Sequence, residues 1–257
     1  MIYGHLTSPD CKRIAPDTVA VLPLAAVEQH GDHLPLATDT AIVGEIARRT
    51  EAALPDDVVL LPTLWAGCSD HHLAFPGTVS IGSEHYVRML EDILNSLTSS
   101  GFRRVFLLNG HGGNKIPYSE ALYRKSLKRE GLWVAGQNYW HLAEPELAKQ
   151  DFMDTPRLTH ACEYETSLML ALDADRVRMD RARGCRRESG SAWYDPLGWG
   201  PTRVVVSEPF EQRTPHGAMG APERATAEKG RRLFEVITGV VVDFLRDFSA
   251  WPLPEGG

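Results

Sequence analysis

Glu28-Gln29-His30-Gly31-Asp32-His33, with Asp39 soon after, gathers carboxylates and imidazoles into one short stretch of the chain. In an extended segment the side-chain period is two, so Glu28 and His30 project to the same side. A carboxylate and an imidazole aimed together are first-row metal ligands in outline. A second cluster, Asn109-Gly110-His111-Gly112-Gly113-Asn114, surrounds a histidine with glycines that leave room for a ligand close to the backbone. A third, His160-Ala161-Cys162-Glu163-Tyr164-Glu165-Thr166-Ser167, lies where a helix should begin, and the positive end of the helix dipole favours a developing anion there. Each cluster alone reads as readily as a hydrogen-bonded structural histidine or a tight turn. Three of them at expected strand or helix ends, in a chain with ten histidines, favour a metal site.

Such clusters need rigid elements to aim them. Residues 18–27 form a continuous apolar run ending at Glu28, which suits a strand buried on both faces. A helix is expected over 39–54, with Thr38 or Asp39 placed to cap it, and a second strand over 57–64. Residues 83–100 carry helical spacing and stop at Gly101, and 103–108 read as a third strand running into the His111 cluster. A helix over 117–129, a strand over 132–138 and a helix over 163–172 follow. Residues 183–220, rich in Gly, Pro and Trp, read as irregular, and 223–248 as a long amphipathic helix. Buried strands alternating with helices predict a single-domain three-layer α/β/α sandwich over 1–257, with a mainly parallel central sheet. In such sheets ligands bind beyond the carboxyl ends of the strands, where the first two clusters fall.

The chain has 257 residues and a net charge of −7. Arg176, Arg178, Arg181, Arg183, Arg186 and Arg187 cluster, but Asp173, Asp175, Asp180 and Glu188 are interleaved, so the run reads as a salt-bridged surface. An acidic chain without a basic stripe is repelled by polyanions, which excludes nucleic acid as the expected partner. Four cysteines without a CxxC pair are expected to be reduced thiols. No apolar run approaches the roughly 20 residues that span a bilayer, and the first residues lack a signal-peptide core. The expectation is a cytoplasmic protein with no membrane partner.

Glu28-Gln29-His30-Gly31, then His33-Leu34-Pro35-Leu36 and Thr38-Asp39, resembles the EQHGxHLPLxTD signature of the creatininase (creatinine amidohydrolase) family. Phe75-Pro76-Gly77-Thr78, the Asn109 to Asn114 cluster and the His160 to Ser167 stretch resemble its later motifs in the same order. The resemblance implies a homohexamer with two divalent ions per subunit, zinc with zinc, manganese or iron. Carried onto matching positions, Glu28, Asp39 and His111 would hold one ion. His30, Asp39 and a further carboxylate would hold the other, with Asp39 bridging. Creatinine-hydrolysing members carry Tyr-Glu directly after the motif histidine, where this chain has Gly112-Gly113. Glu163 is the expected replacement ligand and Glu165 its competitor. His160 matches a family histidine placed as general acid/base.

His33 and His72 either orient ligands and touch substrate or pack as structural histidines. Trp140 is either an aromatic wall of the site or a core or interface residue. The loop 191–199, with Trp193, Tyr194 and Trp199, either covers the pocket or packs at an oligomer contact. The expected reaction is hydrolysis of a C–N bond in a small cyclic or linear amide by a hydroxide held between the ions, with His160 protonating the departing nitrogen. The missing Tyr-Glu pair argues against creatinine. Alternatives within the family are a formamide deformylase, a peptidase and a hydrolase of carbocyclic sugar-like compounds. Outside it, a nucleotide module lacks its GxxxxGK[ST] loop, and a non-catalytic oligomeric binding protein predicts no tightly bound metal.

Overall fold

The computed structural model describes residues 1–187, 190–200 and 202–255, so Glu188, Ser189, Pro201, Gly256 and Gly257 lie outside it. Four strands, β1 (Val19–Leu24), β2 (Val58–Leu60), β3 (Arg104–Asn109) and β4 (Trp133–Asn138), form a sheet in the order β2-β1-β3-β4. Every pairing in it is parallel. The helices are α1 (Ser8–Ile14), α2 (Thr38–Ala53), α3 (Ser83–Ser99), α4 (Lys115–Ser126), α5 (Tyr139–Leu147), α6 (Glu163–Asp173), the short α7 (Phe210–Arg213) and α8 (Ala227–Ala250).

Strand side chains alternate between two cores. Val19, Val21, Phe106 and Leu108 pack with Ile42 and Ile46 of α2, Leu168 of α6 and Ile237 of α8. Ala20, Leu22, Leu24, Val105 and Leu107 pack with Leu90 and Leu94 of α3 and Ala121 of α4. These are the expected three layers, and each large apolar side chain fully buried in them contributes roughly 1.5–3 kcal/mol. All four cysteines are free thiols. Among the described residues no helix is long and apolar enough to cross a membrane.

Several boundaries moved for physical reasons. β1 stops at Leu24 rather than at residue 27, and Val27 instead bridges Val79 as the chain turns across the end of the sheet. Pro23 is tolerated in this central strand because its missing N–H faces the β2 side, where regular pairing has already stopped and only Leu64 N–H reaches the Pro23 carbonyl. β2 shrinks to three residues ahead of Pro62. In α2 neither Thr38 nor Asp39 caps: Ala37 holds the N-cap position without a side-chain bond. Pro222–Arg224 is a separate 3-10 turn, so α8 starts at Ala227 with Thr226 accepting from the Lys229 N–H. α5 was not foreseen, because Pro145 inside it reads as a helix breaker.

In register, Leu24 pairs Asn109 and Asn109 pairs Asn138, so three strands end level. The chain runs from β1 outward to β2 and then back to β3, making a topological switch between β1 and β3. Open sheets bind ligands at that crevice, and there the Glu28 and His111 segments emerge.

Candidate metal centre

Buried amides set the frame. Asn109 Nδ2 donates to the His111 carbonyl and to Asn138 Oδ1, the latter at 2.8 Å. Asn114 Nδ2 donates to Ala25 O and to Asn109 Oδ1, both at 3.1 Å, and its Oδ1 accepts from Cys68 N–H at 2.9 Å. The level strand ends are thereby tied to the Cys68 loop. Gly113 is required by that closeness: a Cβ on it would lie 2.0 Å from the Cys68 carbonyl oxygen and 2.5 Å from His111 Nε2.

Three imidazoles point one nitrogen inward because the other is held by a backbone carbonyl, which can only accept. His111 Nε2–H donates to Cys68 O at 3.1 Å, His30 Nδ1–H to Glu28 O at 3.3 Å, and His160 Nε2–H to Gln29 O at 2.9 Å. The inward nitrogens meet carboxylates. His111 Nδ1 lies 3.1 Å from Asp39 Oδ2 and 3.3 Å from Glu28 Oε1. His30 Nε2 lies 3.1 Å from Asp39 Oδ1 and 4.0 Å from Glu165 Oε1, and His160 Nδ1 lies 3.7 Å from Glu28 Oε1. The two oxygens of Asp39 therefore face different histidines, as a bridging carboxylate does. Asp39 sits in the first turn of α2 without capping it because its side chain is turned into this cluster.

His72 is built the opposite way. Gly31 N–H donates to Gln29 Oε1 at 3.0 Å, which makes Gln29 Nε2 the donor to His72 Nδ1, also at 3.0 Å. The proton of His72 is then on Nε2, facing Glu28 Oε1 at 3.2 Å. Through that proton His72 steadies Glu28. Gln29 stands between the two residues that carry the metal-site signal, and nothing in its own type or spacing marks its role. Its Nε2 also reaches the Gly217 carbonyl at 3.2 Å; Gly217 has φ 85, and a Cβ there would lie 1.8 Å from Gln29 Oε1.

Glu163 is a correction. Its carboxylate is turned away from the cluster and accepts from Asp154 N–H at 3.1 Å, Thr155 N–H at 2.8 Å and Lys229 Nζ. Glu165 is the carboxylate beside His30. Residues two apart on a helix are about 200° apart around its axis, so once α6 forms only one of the pair can face the site. The 163/167 side faces α8, where Ser167 Oγ accepts from Thr226 N–H and a Cβ on Gly230 would meet Ser167 O at 1.9 Å.

His33 also lies off the cavity: it is buried against Thr166, Nε2 to Oγ1 2.8 Å, and burial together with the nearby His30 pushes it down to about 4. The cavity itself, about 130 Å³, is lined by Glu28, Asp39, His72, His111, His160 and Glu165, with Gly112 and Trp140 in its wall. His71 and Phe210 line it too and were not anticipated. The Phe210 ring meets His72 at 4.2 Å and His160 at 5.2 Å between centroids, so α7 forms one wall of the cavity. Trp199 packs with Leu197, Phe210 and Met219, and no residue of the 191–199 loop lines the cavity; Trp193 is exposed.

The electrostatics are unfinished without a cation. Among the described residues no Lys or Arg lines the cavity, and Glu28 Oε2, His30 Nε2, Asp39 Oδ2 and Glu165 Oε2 are buried with no hydrogen-bond partner. Burial opposes a charge on His30, but Asp39, Glu165 and Glu28 outweigh it and raise it to about 9. Burial likewise opposes charge on His111, yet Glu28 and Asp39 hold it well above the ordinary histidine range. Burial, against the pull of His30, lifts Glu165 to about 7. Burial and the neighbouring His72 and His30 push His160 well below its usual value, so it is neutral. The donor set is carboxylate and imidazole, and three overlapping groups of it, Glu28-Asp39-His111, His30-His160-Glu165 and Glu28-His72-His160, each bring ligand atoms within 4.8 Å of one another.

A parallel sheet with a histidine–carboxylate cavity at its switch point defines a class, the α/β metallohydrolases. The chain belongs to the creatininase family: the family model described as creatinine amidohydrolase matches residues 4–245. It is 31% identical to the mycofactocin precursor peptide peptidase of Mycobacterium tuberculosis, over 98% of this chain and 93% of that one. It is 27% identical to the 3-dehydro-scyllo-inosose hydrolase of Thermotoga maritima, over 95% and 83%. It is also 27% identical to the creatinine amidohydrolase of Pseudomonas putida, over 96% of each. A manganese creatininase structure superposes with a TM-score of 0.79 at 26% identity, covering 96% of this chain and 97% of that one. A mutant creatininase of Zn-Zn type superposes at 0.75 and 26%, with the same coverage. The chain is a hydrolase of this family.

Proposed function

We propose that the chain works as one metallohydrolase domain that cleaves a C–N bond in a small amide, with Glu28, Asp39 and His111 holding one divalent ion and His30, Asp39 and Glu165 the other. The split of the two Asp39 oxygens between His30 and His111 carries this reading. Zinc, manganese or iron at such a pair would polarise a substrate carbonyl and lower the pKa of a water from about 15.7 toward 7. His160 is the group that moves a proton. Its Nε2–H is held by the Gln29 carbonyl, which leaves Nδ1 with a free lone pair in the cavity. Being neutral, it accepts a proton from the attacking water and returns it to the departing nitrogen. Phe210 and Trp140 exclude bulk water from the cavity.

Substrates of the relatives range from a creatinine to a precursor peptide, and Gly112-Gly113 replaces the Tyr-Glu pair of creatininase, which favours an amide other than creatinine. The reading includes a cytoplasmic homohexamer, supported by the exposed apolar side chains Trp65, Leu73, Ile116, Tyr123 and Leu127. The test is elemental analysis of protein stripped with chelator and reloaded, followed by amine release from cyclic amides, formamides and short peptides. Two ions per chain and metal-dependent amine release are expected, and H111A should lose one ion. Full occupancy in H111A, or turnover by metal-free protein, would overturn the assignment. Light scattering reads the hexamer independently.

A further inference from the structure

A second cavity of about 300 Å³ adjoins the metal cavity, and Trp140 and Leu158 line both. Beyond that shared wall it is lined by Leu147, Tyr164, Glu144 and Arg157. We infer that this chamber holds the unreacting end of the substrate and that Arg157 selects substrates carrying a carboxylate there. The inference rests on the metallohydrolase reading for the position of the scissile bond.

Three observations carry it. First, the metal cavity of about 130 Å³ has room for little more than the reacting amide, and Trp140 and Leu158 are the wall through which it adjoins further space for a larger substrate. Second, the Arg157 guanidinium is only loosely engaged. Its one ion pair among the described residues is with Glu144 at 3.9 Å, and no hydrogen bond engages it. Both side chains are half exposed, so water screens that pair, and the planar fork remains open to a second carboxylate. Third, the segment bearing Arg157 is anchored. Asp154 and Thr155 donate their N–H groups to the buried Glu163, and Lys229 bridges Glu163 and Asp154 Oδ2, the latter at 2.7 Å. Tyr164 Oη donates to the Thr155 carbonyl at 3.3 Å. A fixed segment offers its guanidinium at little cost in ordering.

The experiment uses zinc-loaded protein with matched pairs: N-acetyl derivatives of glycine, β-alanine and γ-aminobutyrate against their neutral carboxamides. Hydrolysis gives KM and kcat, and calorimetry gives the dissociation constants. One of the three chain lengths should be preferred as the carboxylate by about tenfold, in KM and in binding rather than in kcat. R157Q should reduce that ratio to near one. R157K, which keeps the charge and loses the fork, should fall between them. A ratio near one in the unsubstituted protein, a preference that survives R157Q, or no measurable binding of any carboxylate member overturns the proposal. A ratio seen in binding without hydrolysis of any pair leaves the subsite standing and removes the reaction assigned above.

Discussion

Glu163 and Glu165 stand two residues apart in the first turn of α6, are 0% and 4% exposed, and live in opposite surroundings. Glu163 is satisfied by two backbone N–H groups and Lys229. Glu165 has an orphaned Oε2, no basic side chain other than imidazole near it, and is lifted by burial to about 7. A structural carboxylate buried in a fold comes with its counter-charge and donors, because the bare ion costs several kcal/mol. A carboxylate left incomplete by its own chain is completed by something else. The contrast teaches that pairing, not burial or proximity in sequence, separates the ligand from the strut.

The largest effect belongs to the residue shared by both halves of the centre. D39N should abolish tight binding of both ions and lower amide hydrolysis by more than about a thousandfold, since several kcal/mol of transition-state stabilisation go with the ions. A variant that keeps two ions by elemental analysis would break the bridging assignment. Next come the two glutamates themselves. E163A leaves Lys229 and two buried N–H groups unpaired and should cost about 3 kcal/mol in urea unfolding, at the low end for a buried pair because Lys229 is partly exposed, while retaining both ions. E165Q should do the reverse, losing one ion while metal-free stability holds or rises, because it removes one of three crowded negative charges. The same pattern in both variants would erase the comparison.

Protons offer a third contrast, between the stripped and loaded protein. In the metal-free chain His30 is raised from 6.5 to about 9, so the stability it contributes is fully present below about 6.5 and lost as pH rises through about 9. Metal binding displaces protons from His30 and His111, so zinc affinity should run the other way. It should climb by roughly a hundredfold per pH unit between about 6.5 and 8, two protons being released. Urea midpoints of stripped protein and competition with a zinc indicator measure the two slopes. Slopes of the same sign would refute the competition of protons and metal for these nitrogens.

How much of this could be read from the sequence follows from the range of the interactions. The apolar run before Glu28 and the alternation of strands with helices are local patterns, and they led to the right layers. Glu28, His30, Asp39 and His111 stand in clusters of carboxylate and imidazole that the sequence displays directly, and their grouping as ligands came from the resemblance to creatininase motifs. The choice between Glu163 and Glu165 was not legible in that way. It depends on which face of α6 meets α8, a contact with Lys229, 66 residues further along. The expected helix did limit the answer to one of the two, since both cannot face the same side. Phe210 and His71 reach the cavity only through folding of α7 and the Asp70–His72 turn over it, and no local pattern announces that.

The smallest predicted effect tests the pair of glycines that replaces the Tyr-Glu of creatininase. The two are adjacent and physically unlike. Nothing lies within 4 Å of a Cβ on Gly112, whereas a Cβ on Gly113 would meet Cys68 O at 2.0 Å and His111 Nε2 at 2.5 Å. The Cys68 carbonyl is the group that fixes the proton of His111, so a methyl at Gly113 has to displace either that acceptor or the imidazole. G113A should therefore weaken the His111 ion by about ten- to a hundredfold, the usual cost of disturbing a ligand's outer hydrogen bond. G112A should keep its metal content. The direction of that difference decides why the family's carboxylate is missing here. If G113A binds both ions normally, the loop can move aside, and a glutamate could stand at that position after all. If it does not, the close packing of Cys68 on Gly113 excludes that ligand, and Glu165 on α6 is left to supply the charge.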